Sequence, residues 1–298
     1  MFDLFDFEVS LTPSSTAEPA QVVVFFTGPE RISDAQITDA LQKRLSQYIL
    51  PDHVTFLVPE CYQEWIKEQC ADKTTPIAIA LQRRGLGSAP TYGFSFFDKH
   101  GDINKHVIVA GASKTIGRLI TCGAEKIIQA GMKKLVKCTQ VLTKAPAGFL
   151  FSKPSSMSSN YFIRAENLLT ETLHSHFLAF SCLKVLKEAS HDGLRALDTI
   201  YLDTMAFLPI ALSIQLFQIK FDDQTILSIK SFHSHDGLKD GPLPDAASSL
   251  CLISASTNCG LAKEWIKVNG SPASRVATFL SFLSESEWCT VLHTLDKP

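Results

Sequence analysis

Eight cysteines are scattered along the 298 residues, and no two have Cys-x-x-Cys spacing. A zinc ribbon and a thioredoxin-like motif therefore have no support. Net charge is also nearly absent, at −2, so no global field draws the chain to nucleic acid or to an anionic membrane. A local basic patch stays compatible with that balance. No uninterrupted apolar run approaches the roughly 18 residues of a membrane helix. The opening Met-Phe-Asp-Leu-Phe-Asp-Phe lacks the positive region of a secretory leader. Free thiols without a leader make the reducing cytoplasm the expected location, with no membrane partner. Gly-x-Gly-x-x-Gly is missing, and so is a complete phosphate-binding loop. Residues 111–118, Gly-Ala-Ser-Lys-Thr-Ile-Gly-Arg, come nearest. They are read as a helix start after a strand, where Lys114 and Arg118 could touch an anion.

What is present is apolar: 45 % of residues are hydrophobic and 19 % charged. That fits a substantial core in one large or two modest domains. An N-terminal α/β domain is expected over residues 1–110 and a second domain over 111–298. In the first, residues 1–20 read as an edge strand or tether. Residues 21–27 and 54–58 read as buried strands by their β-branched and aromatic content. Ser33 or Asp34 caps a helix reaching about Tyr48. A helix follows Pro59-Glu60, and residues 77–82 read as a third strand. Residues 92–98 and 103–110 flank Lys99-His100-Gly101-Asp102 as a hairpin.

The second half turns on residues 250–260, Leu-Cys-Leu-Ile-Ser-Ala-Ser-Thr-Asn-Cys-Gly. A short apolar run breaks into small polar residues and a glycine, and a helical pattern follows. This is the pattern of a buried strand, a tight turn and a helix whose N-terminus suits an anion, most often a phosphate. An ordinary strand-to-helix loop is the alternative. Upstream, residues 116–138 read as a helix with a solvated lysine face, and 143–159 as a linker. Residues 164–188 read as a long amphipathic helix with His174 facing solvent. Strands are expected at 199–202, 225–229, 250–253 and 275–282, with helices at 206–218 and 258–268 and a loop at 230–247. This alternation implies right-handed crossovers and a parallel sheet. Ligands of such sheets bind outside the carboxyl ends of the strands, where Asp203-Thr204, residues 231–235 and residues 254–260 converge.

These residues resemble the type I phosphoribosyltransferase fold, and orotate phosphoribosyltransferases in particular, over residues 145–282. Residues 152–162, Ser-Lys-Pro-Ser-Ser-Met-Ser-Ser-Asn-Tyr-Phe, look like the family's Lys-Ser-Gly, gap, Ser-x-Tyr-Phe segment. Residues 202–211 fall where its pyrophosphate loop lies, 231–244 where its flexible catalytic loop lies, and 253–261 where its phosphoribosyl-pyrophosphate loop lies. In that last loop the family carries two adjacent acids, which hold the ribose hydroxyls. Here Ser254 and Ala255 stand in their place. The neutral pair forgoes two charge-assisted hydrogen bonds of roughly 1.5–3 kcal/mol each. The sequence fixes no cofactor. Magnesium is the one the family brings, and it wants carboxylate oxygens. Asp203 stands where the family keeps glycine and small residues, and it would repel pyrophosphate. Residues 162–166 and 253–257 also resemble phosphoribosyltransferase-like proteins of bacterial anti-phage systems, including retron operons. That likeness implies an accessory or effector subunit in a complex, associated with nucleic acid only indirectly.

The candidate ligand-binding residues are Lys153, Arg164, Glu166, Thr204, His235, Ser254, Ser256, Thr257, Asn258 and Gly260. The candidate catalytic residues are Asp203 and His233. Arg164 could clamp a phosphate bidentately or pair with Glu166 on the surface. Asp203 could act as a base, accept a ribose hydroxyl, or cap the following helix. His233 and His235 could do acid–base work on a loop or simply be exposed, and no third or fourth ligand near them suggests zinc. The implied ligand is a nucleotide or phosphosugar, and the implied assembly a homo-oligomer or a complex with other proteins. Three functions compete: a non-transferase effector of a defence system, an enzyme making or breaking an N-glycosidic bond, and a regulatory ligand-sensing domain. The third would want a basic recognition helix, which the first half lacks.

Overall fold

The computed structural model describes residues 4–11, 20–45, 51–82, 90–110, 116–152, 158–191, 196–222 and 226–296. The chain divides into two compact units, Met1–Gly131 and Met132–Pro298. Both are α/β.

The first unit is built on a five-stranded sheet in simple chain order, β1 (Phe5–Leu11), β2 (Ala20–Phe26), β3 (His53–Pro59), β4 (Thr91–Phe97) and β5 (Ile103–Ala110). The three central strands are parallel, and β1 and β5 are antiparallel edges. Helices α1 (Asp34–Leu45), α2 (Gln63–Ala71) and α3 (Pro76–Gln82) supply the crossovers. Their residues Ile37, Leu41, Ile66, Ile77 and Leu81 share a core with Val23, Phe25, Val54, Phe56, Phe94 and Phe96. Ser33 starts α1 through a reciprocal cap. Its hydroxyl accepts from the Gln36 N–H at 3.3 Å, and its own N–H donates to the Gln36 side chain at 2.9 Å. Residues 77–82, expected as a strand, are helical. Thr75 accepts the Ala78 N–H at 3.2 Å, and Pro76, at the first helical position, has no N–H to lose. So short an apolar run carries no period that separates strand from helix. Helix α4 (Ile116–Thr139) follows and is broken at Gly123, whose φ of 69° lies in the left-handed region.

The other face of this sheet carries a polar line in an apolar setting. The Thr55 and Ser95 hydroxyls lie 2.7 Å apart, and the Ser95 hydroxyl lies 2.8 Å from His106 Nδ1. His53 is wholly buried on the same strand as Thr55.

The second unit holds a five-stranded, wholly parallel sheet in the order β11-β10-β12-β13-β14. The strands are β10 (Thr199–Leu202), β11 (Ser228–Ser231), β12 (Ser249–Ser256), β13 (Val276–Ser281) and β14 (Thr290–Thr294). The expected parallel alternation is therefore present, with one strand more than anticipated. β14 escapes sequence reading because it is a half-buried edge, Thr-Val-Leu-His-Thr, with only Leu292 fully inside. Ahead of this sheet lie two short antiparallel strand pairs. Leu142–Lys144 pairs with Tyr161–Ile163, and Phe151–Ser152 pairs with Ser158–Ser159. These strands, β6 to β9 in chain order, make an arm where a linker was expected.

The long helix also begins later than residue 164. A 3₁₀ turn covers Ala165–Leu169, and α5 runs Thr172–His191. α5 is buried on most of its circumference rather than along one stripe, from Phe177 to Leu186. His174 is accordingly inside, only 8 % exposed, and its Nδ1 lies 3.1 Å from the Thr170 hydroxyl. The solvent-facing expectation fails because a helix packed on several sides has no free face. α6 (Leu208–Lys220) packs against α5 and carries Pro209 in its first turn. α7 is Gly260–Asn269.

Burial lowers His53 from 6.5 to about 4, and neighbouring His106 adds to the shift. Between those values the unfolded chain binds more protons than the folded one. The His53 contribution is therefore complete above pH 6.5 and lost as pH falls toward 4. In urea titrations, wild type should lose about 3 kcal/mol relative to His53→Leu between pH 7 and pH 4. A difference that stays constant with pH would show that His53 titrates as an exposed histidine does.

Candidate functional site

In the second unit the chain runs from β10 through α6 to β11 on one side. It then crosses to β12 on the other side of β10 and grows outward to β14. The carboxyl ends of β10 and β12 thus meet where the winding reverses, which is where doubly wound sheets hold their ligands. β10 ends in Asp203-Thr204, and β12 ends in Ser254-Ala255-Ser256.

Asp203 and Ser254 are brought together. The Ser254 N–H donates to Asp203 Oδ1 at 3.0 Å, and its hydroxyl donates to Oδ2 at 2.7 Å. Asp203 is only 6 % exposed. Burial raises its carboxyl from 3.8 to about 6, against the lowering effect of the Ser254 hydrogen bonds. A capping role falls instead to Thr204, whose hydroxyl accepts the Ala206 N–H at 3.3 Å at the start of the 3₁₀ turn Met205–Phe207 that leads into α6.

Beyond Ser256 the chain turns through Thr257, Asn258 and Cys259 into α7. Cys259 takes the left-handed conformation at φ 55°. Asn258 Oδ1 accepts the Gly260 N–H at 3.1 Å, so the turn satisfies part of its own helix end. Cys259 is buried, with its sulfur 3.6 Å from the Ser281 hydroxyl at the end of β13. The positive end of the α7 dipole therefore lies at the same sheet edge as Asp203 and Ser254.

The connection from β11 to β12, residues 232–248, lies against α7 and departs from the flexible loop that the family resemblance implies. Phe232 packs on Trp265 with ring centroids 4.7 Å apart, and Tyr201 meets the same indole at 5.2 Å. Leu238 and Ala246 join that cluster. His235 Nδ1 donates to the Glu264 carboxylate, and the Leu243 N–H donates to Asn269 Oδ1 at 2.8 Å. Gly237 is required here, since a Cβ would stand 1.7 Å from the Phe232 carbonyl oxygen. His233 and Ser234 both take positive φ, 52° and 59°, which tightens the exit from β11. His233 is exposed. His235 is thereby assigned to holding the loop, and its partner Glu264 is a residue that sequence reasoning missed. No local signal in the sequence points to it, since the two residues lie 29 positions apart.

Arg164 and Glu166 are exposed, Arg164 just before and Glu166 within the 3₁₀ turn Ala165–Leu169, which packs against β12 and against the turn Met205–Phe207. They border the site without entering the Asp203–Ser254 contact. Lys153 lies outside the described residues.

The donor set does not suit magnesium. Both Asp203 oxygens already accept from Ser254, and the neighbouring β12 end offers hydroxyls rather than carboxylates. Among the described residues, no three His, Cys, Asp or Glu side chains are grouped to hold a metal ion. No described helix is long and apolar enough to cross a membrane.

No protein-family model matches the sequence, and comparison with curated proteins gives no match. Among solved structures, the chain is similar to the UMP synthase of Leishmania donovani, at 12 % identity and a TM-score of 0.34. The match covers 91 % of this chain and 54 % of the other, so the chain spans about half the length of that enzyme.

Since the folded Asp203 carboxyl holds its proton up to about pH 6 and the unfolded one only to 3.8, its ionisation costs stability as pH rises through that window. Asp203→Asn should therefore gain about 2–3 kcal/mol over wild type at pH 8 and little at pH 4, by urea titration. Equal effects at both pH values would mean that the carboxyl ionises without penalty.

Proposed function

We propose that the second unit is a phosphoribosyltransferase-like module that binds a nucleotide or phosphosugar and does not carry out ordinary phosphoribosyl transfer. The observation that carries this reading is the Asp203–Ser254 clasp at the β10–β12 crevice. It occupies the carboxylate nearest the site with internal hydrogen bonds. A bound phosphate would meet hydroxyls of Ser256 and Thr257 and the first turn of α7, a neutral donor set aided by a helix dipole. The adjacent acids that hold ribose hydroxyls and organise metal-bound pyrophosphate in the resembling family are replaced by Ser254 and Ala255. The all-parallel sheet with its switch point supports the fold part of this reading.

In this proposal the chain works as an effector or accessory subunit, and its setting is a bacterial defence system. That setting rests on the likeness of residues 162–166 and 253–257 to proteins of anti-phage operons. Neighbouring reverse-transcriptase or nuclease genes would support it, and a nucleotide-biosynthesis operon would count against it.

One observation favours a second reading, an enzyme acting on an N-glycosidic bond. A buried carboxyl pushed up to about 6 is suited to proton transfer near neutrality. Under that reading Asp203 moves the proton, and release of free base from a nucleotide disappears in Asp203→Asn.

Titration calorimetry with phosphoribosyl pyrophosphate separates the readings. Binding should be unchanged by magnesium, and no pyrophosphate should appear on adding a nucleobase. Magnesium-dependent binding with pyrophosphate release would establish a working transferase. Gly260→Asp sets a negative charge at the first turn of α7 and should weaken phosphate binding at least about tenfold. Unaltered affinity would remove that turn from the site.

A further inference from the structure

Charge is split unevenly along the second unit. Residues 132–164 carry six lysines and arginines and not one Asp or Glu. Residues 165–298 carry ten basic and fifteen acidic side chains. A near-zero net charge thus conceals a basic stretch joined to an acidic remainder. Five of the six basic residues are described, and all five are exposed. They are Lys133, Lys134 and Lys137 on α4, Lys144 at the end of β6, and Arg164 just after β9.

The fold draws these five together. Lys133, Lys134 and Lys137 share one side of α4, since neighbours three and four residues apart adjoin on a helix, and Met132 and Leu135 are buried behind them. Gln140 takes a φ of 50° and turns the chain from α4 into β6. The Arg164 N–H donates to the Val141 carbonyl at 2.6 Å, and the Asn167 side chain donates to the Gln140 carbonyl at 3.3 Å. Arg164 therefore stands beside the turn that separates Lys137 from Lys144. The same arm carries two rings open to solvent, Phe149 at 69 % and Phe162 at 36 % exposure. Phe162 lies opposite Thr143, next to Lys144, in the β6–β9 register.

Ordinary structural duties account for little of this. The C-terminal dipole of α4 favours a cation, but only Lys137 is in the last turn. Exposed lysines elsewhere find acids nearby, Lys43 with Asp39, Lys67 with Glu64 and Lys239 with Asp236. The ion pairs among the described residues include none of these five, although Glu166 is only two residues from Arg164.

We propose that the last turns of α4 and the adjoining arm form a track for single-stranded nucleic acid, with the cations meeting phosphates and Phe149 and Phe162 stacking on bases. A duplex keeps its bases inside and gives such rings nothing to stack on. An anionic bilayer is the rival partner for a basic and aromatic surface. It would want the apolar residues along one face of an amphipathic helix, whereas these rings stand on a turn and on a short strand. The track is separate from the β10–β12 crevice and needs no ligand there.

Fluorescence anisotropy of the full chain with a labelled oligothymidylate of about 20 nucleotides, longer than common single-strand sites, tests this. With about four phosphates neutralised, log affinity should fall against log salt with a slope of about −3, which is about fiftyfold between roughly 50 and 200 mM. Lys133→Gln, Lys134→Gln and Lys137→Gln together should bring the slope to about −1 with unchanged far-ultraviolet circular dichroism. Should that variant fail to fold, Lys137→Gln alone should reduce the slope by about 0.7. Phe149→Ala should weaken binding about fivefold or more and leave the slope as it is, because the ring carries no charge. Lys239→Gln, in the ion pair with Asp236, should change neither. No binding to the oligonucleotide, equal binding to a duplex of the same length, or a slope unmoved by the lysine changes overturns the proposal. Retention on phosphatidylserine vesicles without oligonucleotide binding overturns it in favour of a membrane surface.

Discussion

One buried carboxylate joins the two strands at the reversal of the parallel sheet. Asp203 accepts both the backbone and the hydroxyl hydrogen of Ser254, and most of what the crevice can do follows from that. A carboxylate in so dry a place is tolerated only with donors at hand. Ser254 supplies two, from a single residue on the adjacent strand. The contact closes the mouth of the sheet with a neutral-leaning pair, where a metal-organising site would hold free charge. It also explains why a residue that would repel pyrophosphate can stand on the first strand. Its oxygens are turned toward a neighbour that absorbs them.

The connection behind that crevice is organised by packing. Tyr201, Phe232 and Trp265 form an aromatic pad. The glycine at 237 lets the chain fold back on the Phe232 carbonyl, and Glu264 takes the ring of His235. Aromatic burial of this extent outweighs the entropy a loop gains by staying open. A histidine at a strand end, whose type alone suggests acid–base work, here serves as a fastening.

What could be read from the sequence divides along physical lines. The strands over 199–202, 250–253 and 276–281 announce themselves because a parallel strand covered on both faces is an unbroken apolar run. The turn after β12 is legible for the same reason, since small polar residues and a glycine end the run abruptly. Asp203 was singled out as chemically unusual, but its partner could not be foreseen, because Ser254 is 51 residues away. Residues 77–82 misled because five apolar residues closed by Gln82 have no resolvable period. His174 misled because helical periodicity says which face is apolar but not how many faces are packed. β14 was invisible, since an edge strand with four half-buried polar or β-branched positions resembles any surface segment. The first unit was legible as α/β from its Val- and Phe-rich strands, and its hairpin from the polar tip between them.

The hydroxyl-to-imidazole line in the first unit has a bearing on how that unit assembles. Thr55, Ser95 and His106 sit on three adjacent strands and can satisfy one another only in the observed alignment. Sliding β4 by a single position would turn Ser95 toward the helices and bring Phe94 or Phe96 into its place. The three polar atoms would then be stranded in hydrocarbon. Apolar strands rich in Phe and Val discriminate poorly between neighbouring alignments, whereas this line penalises every alignment but one. It acts as a proofreading mark written across the sheet, trading a little burial energy for a single way of zipping up.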